Sequence, residues 1–108
     1  MEQAKKQKGV VIFCNISGLI TKTINDESEI ADCFPQGKLF SSCFPIVALR
    51  EALDFMVAVK SDGSAHSGEM IVYVNNHPIS LLFAGALIED TIMLVASNSK
   101  GETEKNFS

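Results

Sequence analysis

No run of the 108 residues approaches the ~20 consecutive apolar side chains that span a bilayer, so no transmembrane helix is expected. Residues 1–8 carry charges with no apolar core behind them, so no secretory leader is expected either. Basic residues do not prevail. Nine Lys and Arg stand against thirteen Asp and Glu, a net charge of −4, and the pI is about 5.0. That balance argues against nucleic acid as the main partner. Cysteine is scarce and odd in number. Cys14, Cys33 and Cys43 show no Cys-x-x-Cys spacing, which excludes a disulfide framework or a zinc clamp of ordinary pattern. These absences together point to a cytoplasmic domain.

Catalytic signatures are missing as well. His66 and His77 are the two histidines, and neither has an Asp or Cys at metal-ligand spacing. No Gly-x-x-x-x-Gly-Lys-Ser/Thr phosphate loop and no Gly-x-Ser-x-Gly elbow occurs. Glu27, Glu29 and Asp32 lack the alternating oxygen ligands and turn glycine of a calcium loop, and read as a solvated helix face. Glu89-Asp90 reads as a turn. Cys14 sits in an apolar run and reads as a small buried hydrophobe. No basic neighbour in the sequence marks Cys33 or Cys43 as a reactive thiol. An enzyme is therefore not expected.

What is present is apolar material. Hydrophobic residues make up 46% of the chain and charged residues 20%, with a mean hydropathy of +0.19. Surface scaling gives about 6,000 Å² exposed when folded against about 17,000 Å² unfolded, enough for one domain with its own core. Residues 10–16 are nearly all apolar and rich in β-branched side chains, as in a central strand covered on both faces. Ser17-Gly18 turns the chain, and residues 19–24 resume a strand pattern. Residues 25–45 hold Phe34, Phe40 and Phe44 at irregular spacing, punctuated by Pro35, Gly37 and Pro45, and read as short helical turns over the sheet.

Pro45 suits the first position of a helix that closes at Ser61-Asp62-Gly63, with Gly63 left-handed. Ile46, Leu49, Leu53, Met56 and Val57 mark its apolar face, widened by Ala48, Ala52, Phe55 and Val59. Three strands follow, over residues 69–74, 79–87 and 91–97. They are separated by the turns Asn75-Asn76-His77-Pro78 and Glu89-Asp90, with a bend or bulge at Gly85. The order β-β, short helices, long helix, β-β-β predicts an α+β fold with the helices on one face of an antiparallel sheet. If the domain has a ligand pocket, its expected lining is Phe40, Phe44, Leu49, Leu53, Phe55, Met56, Phe83 and Leu87.

Several segments resemble a PAS sensory domain of the kind found in microbial sensor histidine kinases. They are Gly9-Val10-Val11-Ile12, Ser17-Gly18-Leu19-Ile20, Gly37-Lys38-Leu39-Phe40 and Ala52-Leu53-Asp54-Phe55. Glu69-Met70-Ile71-Val72, the stretch from Leu81 to Leu87, and Ile92-Met93-Leu94-Val95 complete the set. The resemblance covers residues 9–98, with residues 1–8 as a polar lead and 99–108 as a polar linker. It implies a five-stranded sheet of spatial order 2-1-5-4-3 and a non-catalytic input domain of a two-component signalling protein. Such a domain takes a small apolar ligand, a homodimer partner or a downstream kinase as its partner. No cofactor is assigned. The flavin motif Asn-Cys-Arg-Phe-Leu-Gln is replaced by Asp32-Cys33-Phe34-Pro35 and Ser42-Cys43-Phe44-Pro45, and residues 46–60 lack the histidine of haem-binding relatives. The Asp-Ile-Thr-like output motif is also missing. A stand-alone interaction module of profilin, longin or roadblock type, which threads its sheet differently, is the alternative.

Overall fold

In the computed structural model, residues 9–25 and 29–98 are described. The polar lead, the linker, Glu27 and the turn expected at residues 26–28 fall outside them. Strands β1 (Gly9–Asn15) and β2 (Ile20–Asn25) are followed by two 3-10 turns, Glu29–Cys33 and Phe40–Cys43. Helix α1 (Ile46–Asp62) comes next, then β3 (Ser64–His66), β4 (Met70–Val74), β5 (His77–Ile88) and β6 (Thr91–Asn98). All strand pairs are antiparallel. The sheet runs β2-β1-β6-β5, and both β3 and β4 lie on the free side of β5. This is the expected α+β fold and strand order, with the last edge strand divided in two.

The division has a local cause. β3 pairs with Ala84–Ala86 and β4 with His77–Leu81, so residues 67–69 face only Leu82 and Phe83, one extra residue on the edge. Ser67 repairs the ladder there. Its amide donates to the Phe83 carbonyl at 2.9 Å, and its Oγ accepts from the Phe83 amide at 3.0 Å. Ser-Ala-His carries little strand propensity, and β3 forms because the twelve-residue β5 offers an unpaired flank beside it.

The turns follow side-chain chemistry. Asn15 Oδ1 accepts from the amides of Ser17 and Leu19, both at 3.0 Å, while Gly18 takes φ +91°. Between β4 and β5 the turn is Asn75-Asn76 alone, with φ of 51° and 69°, the two-residue primed hairpin. His77 and Pro78, expected in that turn, instead begin β5. Gly63 closes α1 at φ +86°, its amide donating to Val59 O. Pro45 is extended (ψ 164°) and caps α1 from outside, one residue earlier than expected.

Three further expectations are corrected. The buried face of α1 is Ala48, Ala52, Phe55, Met56 and Val59, whereas Ile46, Leu53 and Val57 are 82%, 46% and 60% exposed. The helix packs through its small residues because that lets its backbone approach the sheet. Gly85 serves the same approach. β5 runs past it without a bulge, and a Cβ there would lie 2.8 Å from Leu94 Cδ2 and 2.9 Å from Val59 Cγ2. The one register shift in the sheet ladders falls instead between Phe13 and Cys14 of β1. Strand β1 is buried on one face (Val10, Ile12, Cys14) and half-buried on the other, not covered on both.

Candidate functional site

The 3-10 segments cannot bury themselves by regular packing, and the chain solves this with phenylalanine. Phe34 follows the first turn, Phe40 opens the second, and Phe44 follows it. α1 supplies Phe55, and β5 supplies Phe83 through its inward face. Ring centroids lie 5.0 Å apart for Phe40–Phe44, 5.4 Å for Phe40–Phe83 and 5.8 Å for Phe34–Phe44. Phe34 and Phe40 are stacked at 17°, while Phe40 and Phe83 meet edge to face at 83°. Such offset and T-shaped pairs add about 0.5–1.5 kcal/mol each beyond area burial. All five rings are buried.

Of the expected pocket lining, Phe40, Phe44, Phe55, Met56 and Phe83 are brought together in the core, with Leu87 partly buried beside them. Leu49 is half-buried, and Leu53 lies on the outer side of α1, away from this cluster. Phe34, absent from that lining, packs in the same cluster against Phe40, Phe44 and Phe83. Its signal was in the sequence: Cys33-Phe34-Pro35 repeats as Cys43-Phe44-Pro45, and both triplets end a 3-10 turn with the ring pointing inward.

The cover formed by residues 29–44 packs on α1 through Phe40 and Phe55 and is hydrogen-bonded to β2 and the turn before it. Ile20 N donates to Lys38 O and Gly37 N to Ile20 O, both at 2.8 Å; Phe40 N donates to Gly18 O at 2.9 Å, and Thr23 Oγ1 to Phe34 O at 2.7 Å. The second 3-10 turn has no side-chain cap at its N-terminus. The margin of the cover is thus hydrogen-bonded along β2 and the turn before it, its first 3-10 turn also meets β4 through Cys33 and Tyr73, and its interior packs through aromatic rings.

The polar chemistry around the cluster is thin. Burial pushes the Cys14 thiol up to about 11, with repulsion from Cys43 adding to it. Burial also pushes Cys43 up to about 11, against the opposing pull of Lys38. Lys38 is a basic neighbour that the sequence did not reveal, but burial outweighs it. Cys33 is raised by burial and by Asp32. All three are thiols rather than thiolates at neutral pH. The Sγ of Cys43 donates to Leu39 O at 3.4 Å and that of Cys33 to Tyr73 O at 3.6 Å. His66 and His77 are exposed on strands, and no group of three or more His, Cys, Asp or Glu among the described residues is placed to hold a metal. No helix among them is long and apolar enough to cross a membrane.

No protein-family model matches the sequence, and no curated protein matches it. Solved structures do resemble it. The PAS domain of the RpfR quorum-sensing receptor from Cronobacter turicensis, in complex with BDSF, superposes with a TM-score of 0.67 at 13% identity. That match covers 89% of this chain and 98% of the receptor domain. A domain of an HTR-like protein from Haloarcula marismortui matches at 14% identity over 83% of this chain and 96% of its own, with a TM-score of 0.49. The strand order, the single long helix, the 3-10 cover and the extent of the receptor match together give this chain the fold of a PAS domain.

Proposed function

We propose that the chain is a non-catalytic sensory input domain of a larger cytoplasmic signalling protein, such as a sensor histidine kinase. The observation that carries this reading is the likeness to a receptor PAS domain over nearly all of that domain's length. The signal is a small apolar molecule that enters among Phe34, Phe40, Phe44, Phe55 and Phe83. The rings offer shape and dispersion, with no charged side chain among them, so an apolar body suits the site.

Mechanistically, the ligand separates the 3-10 cover from α1. Two packings of the cover exist in equilibrium, and the ligand shifts it by binding the opened packing more tightly. The shift passes through Phe83 to β5 and β6, and from the sheet to a dimer partner or a downstream effector. Titration by calorimetry tests this, with BDSF and a library of small apolar compounds as probes. Saturable binding that Phe83→Trp abolishes while the chain stays folded supports the reading. A folded domain that binds none of the probes, and whose melting temperature none of them raises, counts against it.

A further inference from the structure

Helix α1 carries a second apolar stripe that the core does not use. Ile46, Leu49, Leu53 and Val57 recur at i, i+3, i+7 and i+11, within an arc of about 80° at 3.6 residues per turn. Three of them are 46–82% exposed. Four aliphatic side chains at this spacing form a helix-pairing seam, not a scattered set of surface residues.

The charges beside the seam indicate its occupant. Arg50 and Asp54 lie one turn apart on the same flank, 3.8 Å from each other, with side chains 86% and 75% exposed. When the same helix is laid antiparallel on itself, each flank faces its own copy. A two-fold axis over residue 52 then sets Arg50 of one copy opposite Asp54 of the other, and Asp54 opposite Arg50. In that register Leu49 lies over the gap between Leu53 and Val57 of the second copy. Lys60, at the far end of the seam, stays roughly 20 Å or more from its own mate at 1.5 Å per residue. The flank is thus complementary to itself in charge and the stripe complementary to itself in shape.

We infer that α1 is a homodimerisation face, with two copies of this chain pairing antiparallel through Ile46, Leu49, Leu53 and Val57 and exchanging Arg50–Asp54 ion pairs. This names a surface for the dimer part of the reading above and is independent of its ligand. A 17-residue helix is about 25 Å long, so the contact falls below the ~1,200 Å² of standard interfaces and is a weak, concentration-dependent one.

Sedimentation equilibrium of the full chain from about 10 µM to about 1 mM spans the affinities such a contact supports. The expected result is a mass that rises toward that of a dimer. Leu53→Glu holds it at the monomer, and Arg50→Asp or Asp54→Arg alone weakens association about tenfold. The Arg50→Asp/Asp54→Arg double variant restores wild-type association, because the exchanged pairs re-form with reversed sign. All three positions are exposed, and unchanged melting temperatures confirm that each variant is folded. A monomer throughout the range overturns the inference. So does a double variant as weak as the singles, or a dimer dissolved by Val95→Glu on the outer sheet face but not by Leu53→Glu. None of these results bears on ligand binding.

Discussion

Gly85→Ala tests the close approach of helix to sheet with one methyl group. The added Cβ would lie 2.8 Å from Leu94 Cδ2, 2.9 Å from Val59 Cγ2 and 3.2 Å from Phe55 Cζ. None of the three side chains has room to yield, because Leu94 and Val59 are wholly buried and Phe55 is 5% exposed. Overpacking of this kind costs about 1–3 kcal/mol. Replacing glycine restricts the unfolded chain and returns about 0.4–1 kcal/mol. The net expectation is a loss of about 1–2 kcal/mol, which lowers the melting temperature by about 4–15 °C for a domain of this size. Gly68→Ala is the matched control: its Cβ would meet nothing within 4 Å, so only the favourable term remains. Urea titration of both variants, with m-values compared, separates stability from changes in compactness. If Gly85→Ala is as stable as the wild type, α1 does not pack on β5 as described.

Leu53→Arg is expected to change stability by less than about 0.5 kcal/mol, since the position is exposed, whereas Phe34→Ala should cost about 3–5 kcal/mol; thermal melts distinguish the two. Asn76→Ala forces a residue with a Cβ into the left-handed region and should cost about 1 kcal/mol, while Asn76→Gly should be neutral or stabilising in the same melts. Folded Cys14 holds its proton up to about 11, against an ordinary value of 9.0, so the unfolded chain loses that proton first as pH rises. Its contribution of about 2–3 kcal/mol is present in full below pH 9 and declines between pH 9 and 11. Cys14→Ala should flatten that alkaline decline in urea titrations repeated across the range. At neutral pH, Cys14 should resist a thiol reagent until the chain unfolds.

The strands were legible because their alternation and turn residues are local signals. Asn75-Asn76 and Gly63 do in the structure what those residue types do in short peptides. The helix was legible in extent but not in phase. Leu and Ile outweigh Ala on any hydropathy scale, so the sequence points to Ile46, Leu49 and Leu53 as the buried face. What decides the face is the width of the gap above β5. Gly85 lets Val59 and Phe55 come down onto β5, which turns the face with Ala48 and Ala52 inward, a fact about segments far apart in sequence. The same applies to β3, which exists because β5 overhangs it, and to Phe34, whose neighbours come from β2, β5 and the second 3-10 turn with the residue after it. Lys38 beside Cys43 is also a product of the fold. The candidate site was therefore half legible: the aromatic residues are visible in the sequence, while their meeting point is set by distant pairing.

One pairing has a mechanical consequence. Gly9, the first residue of β1, lies opposite Ser97, next to the last residue of β6, so the chain enters and leaves the sheet side by side at one end. A pull delivered through the chain on either side does not shear the β1–β6 ladder with all its hydrogen bonds loaded together. It peels them one after another, as a zipper opens from its slider end. The ladder is central in the sheet, yet along this axis it is the seam that yields first. Opening it would part β1 and β2 from the rest of the sheet at low force. The domain would then extend under tension instead of transmitting it.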